Sequence, residues 1–495
     1  AAPDLRLALP AAAAWLVAWQ GRFLPPPWLG ALALGLVLAS AVVVLRSRQA
    51  RSAVVAATLV AAAAAGLATA ARVQLRTGGP LVDAASRSAS VTVEGVLLDD
   101  PRSVPSKGEA LAVRELVIAR LRVARVDLAG RSFALRQPVL VLANDRAWLG
   151  LLPSQRVRTE GRLESAERGD DVAALLSARG PPVVQSGPSR VHRVAGVLRQ
   201  GLRDAVRPLP AEERGLLPGL VDGDTSGLDP ALKQDFQATG LSHLTAVSGT
   251  NVAIVLGAVL ALCGWLRIGL RWRAPLATLA LAGFVVLARP SPSVLRAGAM
   301  GLVAVVALAT GSRRQAAPAL CAAVIGLLLL SPELAAQPGF ALSTFATAAL
   351  ILVAPVWRDR MARRIPRWLA EAVAVPAAAQ LACTPVVVAI SGSLGLLAIP
   401  ANLLVIPAVA PATVLGVLAA LLAAVWLPAA QAVAWVAYLP VRWLVVVAHA
   451  GAGQPGAGAS LPQGWVGVGL VSVLMVVGLV VLRSPRLRVA AAAAT

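Results

Sequence analysis

The chain has 495 residues, 58% of them hydrophobic, and a mean hydropathy of +0.75, whereas soluble globular domains sit at about 45–50% apolar. That excess excludes an ordinary soluble fold and makes a membrane protein the starting assumption. The formal net charge of +21 invites a nucleic-acid reading, but arginine clusters also fix the topology of membrane proteins, so placement decides more than the total.

Leu7 to Trp19 reads as a first span, since it lacks the punctuation of a cleaved signal. The apolar runs Trp28 to Leu45, Ala53 to Ala71, Leu302 to Thr310 with its flanks, and Trp465 to Leu482 approach the roughly 20 residues that cross a bilayer core. Arg46 to Arg51, between the second and third runs, belongs on the cytoplasmic side, and the third run then leaves the cytoplasm near Arg72. Gly78 to Pro188 differs in kind. Period-two alternation in Val91 to Leu98, Leu116 to Leu128, Ala134 to Ala143 and Val157 to Glu164, punctuated by Gly and Pro, predicts a small β-barrel or sandwich of about five strands outside the cytoplasm.

From His192 to Leu209, Val194, Val197, Leu198, Leu202 and Val206 recur at helical spacing opposite Arg193, Arg199, Arg203 and Arg207, which predicts an amphipathic helix along the membrane interface. Glu212 to Gly240 holds two short helical patterns around DGDTSGLDP, too polar to span. Asp229 is placed to cap the second. Asp222, Asp224, Ser226 and Gly227 imitate half of a calcium loop, but Lys233 stands where its bidentate Glu belongs, so no calcium site is expected.

The later spans alternate with one-sided charge. Arg267, Arg271 and Arg273, then Arg313 and Arg314, then the five arginines from Arg358 to Arg367, and finally Arg483, Arg486 and Arg488 mark cytoplasmic turns. The loops Ser291 to Ser293, Ser331 to Gly339 and Ala450 to Gly464 carry no cations and fall outside. This predicts roughly ten spans, with Pro400, Pro407 and Pro411 breaking the run between Ser391 and Ala448 into re-entrant pieces. Cys263, Cys321 and Cys383 lie in apolar segments without metal or disulfide spacing and read as packing residues. No cofactor motif is present, and no nucleophile, base and oxyanion set converges.

GLSHLTAVSGTNV, Gly240 to Val252, opens an apolar run yet brings in His243, Ser248 and Asn251. Polar groups entering a membrane helix must find partners or line water, so this segment is either a capped, closely packed helix start or a water-facing wall. In a helix beginning near Ser242, Ser248 and Asn251 would share one face, with His243 at its mouth. Arg296 is the one charge in Val294 to Leu308. It either snorkels to the nearby loop or faces a polar passage. Asn402, beside Pro400, lines a re-entrant turn or satisfies backbone that proline frees.

Leu217 to Val255, containing DGDTSGLD and TGLSHLTAVSGTNV, resembles the signature of the ComEC competence family. Ser291 to Gly301 (SPSVLRAGAMG), Ser331 to Leu350 (SPELAAQPGFALSTFATAAL) and Thr384 to Pro407 resemble three further motifs of that family, in order. Asn251 stands where the family usually has His, and Ala341 and Thr344 depart from its pattern as well. The C-terminal metallo-β-lactamase-like domain of many members has no counterpart here, because His192, His243 and His449 are the only histidines.

The resemblance implies a polytopic α-helical membrane protein with an extracytoplasmic, OB-fold-like β-barrel inserted after the third span. It divides the chain into N-terminal helices (1–77), the β-domain (78–190), interfacial helices (191–240) and a channel domain (241–488). It implies a passage for single-stranded DNA across the bacterial cytoplasmic membrane in natural transformation, fed by a DNA receptor outside and drawn by an ATPase inside. His243, Ser248, Asn251, Arg296, Ser343 and Asn402 would line the channel. Arg114, Arg120, Arg122, Arg125 and Arg136 would hold the strand through charge, with Phe133 and Trp148 as the available stacking platforms. A secondary transporter of a small anionic solute is the competing reading, weakened by the lack of Asp or Glu inside the late spans.

Overall fold

The first three apolar runs form helices α1 (Ala8–Gly21), α2 (Pro26–Arg46) and α3 (Ala50–Thr77) in a computed structural model that describes residues 4–46, 50–105, 115–128, 130–167, 170–245, 247–289, 292–309, 316–395, 397–454 and 458–483. Small residues bring them together: Ala14 of α1 and Ala65 of α3 are fully buried, whereas Leu34, Leu38 and Leu45 of α2 are exposed. An apolar outer face on a tightly packed helix suits lipid and not water.

A short α4 (Pro80–Ser86) leads into β1 (Ser90–Leu97), β2 (Arg102–Pro105), β3 (Glu115–Leu128), β4 (Arg131–Ala143), β5 (Arg156–Ser165), β6 (Ala174–Ala178) and β7 (Val183–Ser186). Hydrogen-bond ladders run from β1 to β3, β4, β6 and β5, and from β5 back to β1. Among the described residues only β4 with β6 is parallel in this mixed sheet. Five strands therefore close a ring, and β2 and β7 are added along β3 and β5. Alternate residues fill its interior: Val91, Val93 and Leu97, then Val117, Ala119, Leu121 and Val123, then Val139 and Val141. Against β1, Glu94 pairs with Arg125 and Gly95 with Val123, so Ala124 is a residue added to β3. The outward set thereby changes from even to odd numbers, so that Arg125 shares the outer face with Arg120 and Arg122.

Next come α5 (Arg190–Val206), α6 (Ala211–Asp222) and α7 (Pro230–Ala238). Asp229 caps α7 through a hydrogen bond from the Ala231 amide, 2.8 Å, as expected. The interfacial expectation fails for α6. Leu216, Leu217, Leu220 and Val221 have no exposed surface and sit in the largest apolar cluster, with Leu202 of α5 and Phe236 of α7. Glycine permits this: a Cβ on Gly215 would meet the Gly227 carbonyl at 2.2 Å. Arg199, expected on the solvent face of α5, is also buried.

The remaining helices are α8 (Gly249–Trp265), α9 (Leu270–Leu287), α10 (Pro292–Ala309), α11 (Ala316–Leu330), α12 (Pro338–Leu352), α13 (Ala354–Met361), α14 (Arg367–Ser391), α15 (Ala398–Ala423), α16 (Leu427–Ala452) and α17 (Trp465–Arg483). A two-stranded ladder of β8 (Ser393–Gly395) with β9 (Gly458–Ser460) ties the end of α14 to the segment after α16. Among the described residues five helices, in α2, α3, α14, α15 and α16, are long and apolar enough to cross a membrane, or six if the pair α12 and α13, bent by 42°, is one span. α8 and α11 are apolar but shorter. The re-entrant expectation for 391–448 is overturned, because α15 runs unbroken through Pro407 and Pro411. Its partner α16 supports it there, the Trp443 indole donating to the Leu404 carbonyl at 2.8 Å.

Candidate functional site

The polar segment 242–251 is not one helix. Ser242–Leu244 forms a single 3-10 turn, and α8 starts only at Gly249 with Ser248 at its N-cap position. His243 therefore stands off the helix, with its side chain exposed, and does not share a face with the others. Ser248 and Asn251 do come together, Oγ to Oδ1 at 3.3 Å. Asn251 has no exposed surface, and its amide donates to the Leu220 carbonyl at 2.7 Å. That bond pins the first turn of α8 to the last turn of α6.

Arg296 lies in the first turns of α10 and is 1% exposed, which removes the snorkelling alternative. Its Nη1 donates to the Phe340 carbonyl at 3.2 Å and lies 3.5 Å from that of Gly339, and its guanidinium carbon is 5.5 Å from the Phe340 ring centre. The Phe340 carbonyl also accepts from Thr344 at 2.8 Å. Among the described residues Arg296 has no carboxylate partner, and its Nη2 is buried without a hydrogen bond. The starts of α8 and α10 touch: a Cβ on Gly249 would lie 3.6 Å from Ala297. Asn251 and the unpaired arginine thus belong to adjoining helix ends.

Ser343 is half-buried on α12 and its carbonyl accepts from Thr347. Asn402 donates to Ala398 within the first turn of α15 at 2.7 Å, which serves the helix end. Arg120, Arg122, Arg125 and Arg136 stand on the outer face of the sheet, Arg120 within 3.8 Å of Asp99. Arg114 lies outside the described residues. Trp148 is no stacking platform: it is fully buried in the sheet's core, its indole 3.4 Å from the Gly180 carbonyl. Phe133 packs partly against the same core.

Two charge networks escaped the sequence reading because their members are far apart in the chain. Arg199 of α5 donates to the Asp222 and Leu287 carbonyls and lies 3.6 Å from Asp100 and 3.8 Å from the Asp222 carboxylate. Arg289 joins Asp100 at 2.8 Å and His192 Nδ1 at 3.1 Å. Sheet region, α5, α6 and the end of α9 thus meet in one cluster. Burial, and secondly Arg289, hold His192 below its ordinary value, so its neutral ring accepts from that arginine. Burial pushes Asp222 up to about 6 against the opposing pull of Arg199. The second network lies on α16: His449 bridges Asp235 at 2.6 Å and Glu212 at 2.9 Å, and Arg442 lies 3.2 Å from the buried Glu213. Carboxylates absent from the late spans are therefore supplied to a span from α6 and α7.

The Competence protein family matches residues 220–486, more than half of the chain, beginning at the residue whose carbonyl receives Asn251. The chain is also similar to ComE operon protein 3 of Bacillus subtilis (strain 168), 29% identical over 214 residues that make up 42% of this chain and 27% of that protein. The matched part is thus about a quarter of the relative's length. No solved structure matches the chain.

Proposed function

Because the chain belongs to the Competence protein family, we propose that it forms the conduit by which single-stranded DNA crosses the bacterial cytoplasmic membrane in natural transformation. The observation that carries this reading is Arg296: a fully buried cation with no carboxylate partner among the described residues and an unfilled donor. Burying an arginine costs several kcal/mol unless it is compensated, and two carbonyls and an aromatic ring compensate only in part. A passing phosphate would complete the set. Ser248 and Asn251 lie at the adjoining helix end, and His243, Ser343 and Asn402 are the remaining candidates for the lining.

In this reading the closed five-strand sheet is an OB-fold-like barrel, outside the cytoplasm because Arg46 and its neighbours lie inside and one span intervenes. Its outward Arg120, Arg122, Arg125 and Arg136 track the strand by charge. A DNA receptor delivers the strand from outside and an ATPase draws it inward. The test is uptake of labelled DNA by cells carrying Arg296→Gln at unchanged membrane level. Uptake should fall about tenfold or more, the loss of one charge-assisted contact. Normal uptake would overturn the reading.

A secondary transporter of a small anion draws on one observation, the His449, Glu212 and Asp235 cluster against a spanning helix, since such transporters couple to ions through carboxylates. It requires His449→Gln to abolish solute uptake while leaving DNA uptake intact.

A further inference from the structure

Away from Arg296, a small open cleft lies where the ends of α1 and α3 meet the segment 332–336 and the loop between β5 and β6. Three arginines line it: Arg22, Arg72 and Arg76, together with Asp171 and Glu333. The two carboxylates are both turned to Arg76, at 3.9 and 3.4 Å. Arg72 spends one donor on the Leu330 carbonyl, 2.8 Å. Arg22 lies over the Phe23 ring at 4.4 Å, and its Nε is buried without a partner. Arg22 Nε thus lacks an acceptor and Arg72 is exposed beside it, while the one buried acceptor left without a hydrogen bond in the lining, Glu333 Oε2, is turned to Arg76.

The surroundings say which acceptor. Phe23 and Leu24, in the turn joining α1 to α2, and Trp28, in the first turn of α2, are exposed, and exposed aromatic residues at the end of a span sit at the level of lipid headgroups. Arginine forks match phosphate oxygens in paired hydrogen bonds. We propose that this cleft binds the phosphate of an anionic phospholipid headgroup, with Arg22 and Arg72 as its ligands and Phe23 and Trp28 against its acyl chains. Arg76, neutralised by Asp171 and Glu333, holds the end of α3 against the sheet region and the segment 332–336. The site stands whether or not the chain passes DNA.

Native mass spectrometry of the full chain in detergent, titrated with phosphatidylglycerol or phosphatidylcholine, tests this. The double variant Arg22→Gln, Arg72→Gln should retain about tenfold less phosphatidylglycerol, as for lost charge-assisted bonds. Arg46→Gln, at the opposite end of α2, should retain it as the parent does. Equal retention in the double variant, or equal retention of phosphatidylcholine by the parent, overturns the proposal. So does displacement of the lipid by an oligodeoxynucleotide or by inorganic phosphate alone, which would make the cleft a site for another phosphate. Should the double variant fail to fold, Arg22→Lys keeps the charge but loses the fork. It should bind severalfold less, and unchanged binding there overturns the proposal equally.

Discussion

Arg199 and Arg296 are both buried, 7% and 1% exposed, yet their surroundings differ. Arg199 sits between two carboxylates and two carbonyls where four parts of the chain meet. Arg296 has carbonyls and a ring but no carboxylate among the described residues. A cation kept for structure is neutralised where it stands, because an uncompensated buried charge is destabilising. A cation kept for a mobile anion must be left incomplete.

The largest effect should therefore come at the seam. Arg199→Ala strands Asp222, while Asp100 keeps Arg289, and breaking such a buried pair costs about 3–5 kcal/mol; thermal unfolding in detergent at pH 7.5 should show it. Arg296→Met should leave stability within about 1 kcal/mol, because apolar replacement of a buried charge is often neutral, while uptake is lost. If both substitutions destabilise the protein equally, the distinction between the two arginines disappears.

Proton binding sharpens the same contrast. The carboxyl of Asp222 titrates at about 6 in the folded protein against 3.8 ordinarily, so the folded state holds the proton more tightly than the unfolded chain. The resulting stabilisation is complete below pH about 4 and is lost as pH climbs through about 6, on the order of 2–3 kcal/mol in all. Asp222→Asn should flatten this dependence, and Arg199→Ala should cost less at pH 5 than at pH 7.5. A parent whose unfolding temperature is level from pH 4 to 7 would exclude this account.

Much of this was legible in the sequence. Alternation in Val91 to Leu98 and Val157 to Glu164 placed β1 and β5, and the apolar runs Trp28 to Leu45 and Ala53 to Ala71 placed α2 and α3. The losses have physical causes. Helix α6 looks interfacial because Glu212 and Glu213 begin it, but both carboxylates are answered by Arg442 of α16, a partner 230 residues away. Trp148 looks like a platform because aromatic residues are scarce nearby, and burial is invisible in one residue type. Polar residues from Ser242 to Asn251 suggested one helix face, whereas the chain turns at 242–244 before α8 begins. Asn251 and Arg296 could be named from sequence, but their different partners could not.

Asn251 belongs with Arg199 rather than Arg296 in being satisfied, and a smaller cost follows. Asn251→Ala leaves the buried Leu220 carbonyl without its side-chain donor, worth about 1–3 kcal/mol. Asn251→His, which keeps a ring donor, should lose less. Should Ala and His variants unfold alike, the bond from Asn251 to Leu220 is not what joins α8 to α6.

The smallest effects belong to the outer face of the sheet, where charge is neither buried nor incomplete. Arg120, Arg122 and Arg125 share that face because of the residue added to β3 opposite β1, and water screens each of them, so none should matter to folding; surface substitutions usually stay within about 0.5 kcal/mol. Their contribution is to a polyanion. Each phosphate neutralised releases condensed counterions, which adds about 0.7 to the slope of log affinity against log salt for a single strand. Replacing all three by Ala in the full chain, held in nanodiscs, should therefore lower that slope by up to about 2, with no change in base preference, since phosphate contacts carry none. Arg125 supplies the sharper comparison. Deleting Ala124 would remove the added residue yet leave Arg125 outward beside the inward Val123, so the slope should stay that of the parent, whereas Arg125→Ala should lower it by about 0.7. An unchanged slope in the triple variant would take the strand away from this face and leave the closed sheet as a spacer above the helices.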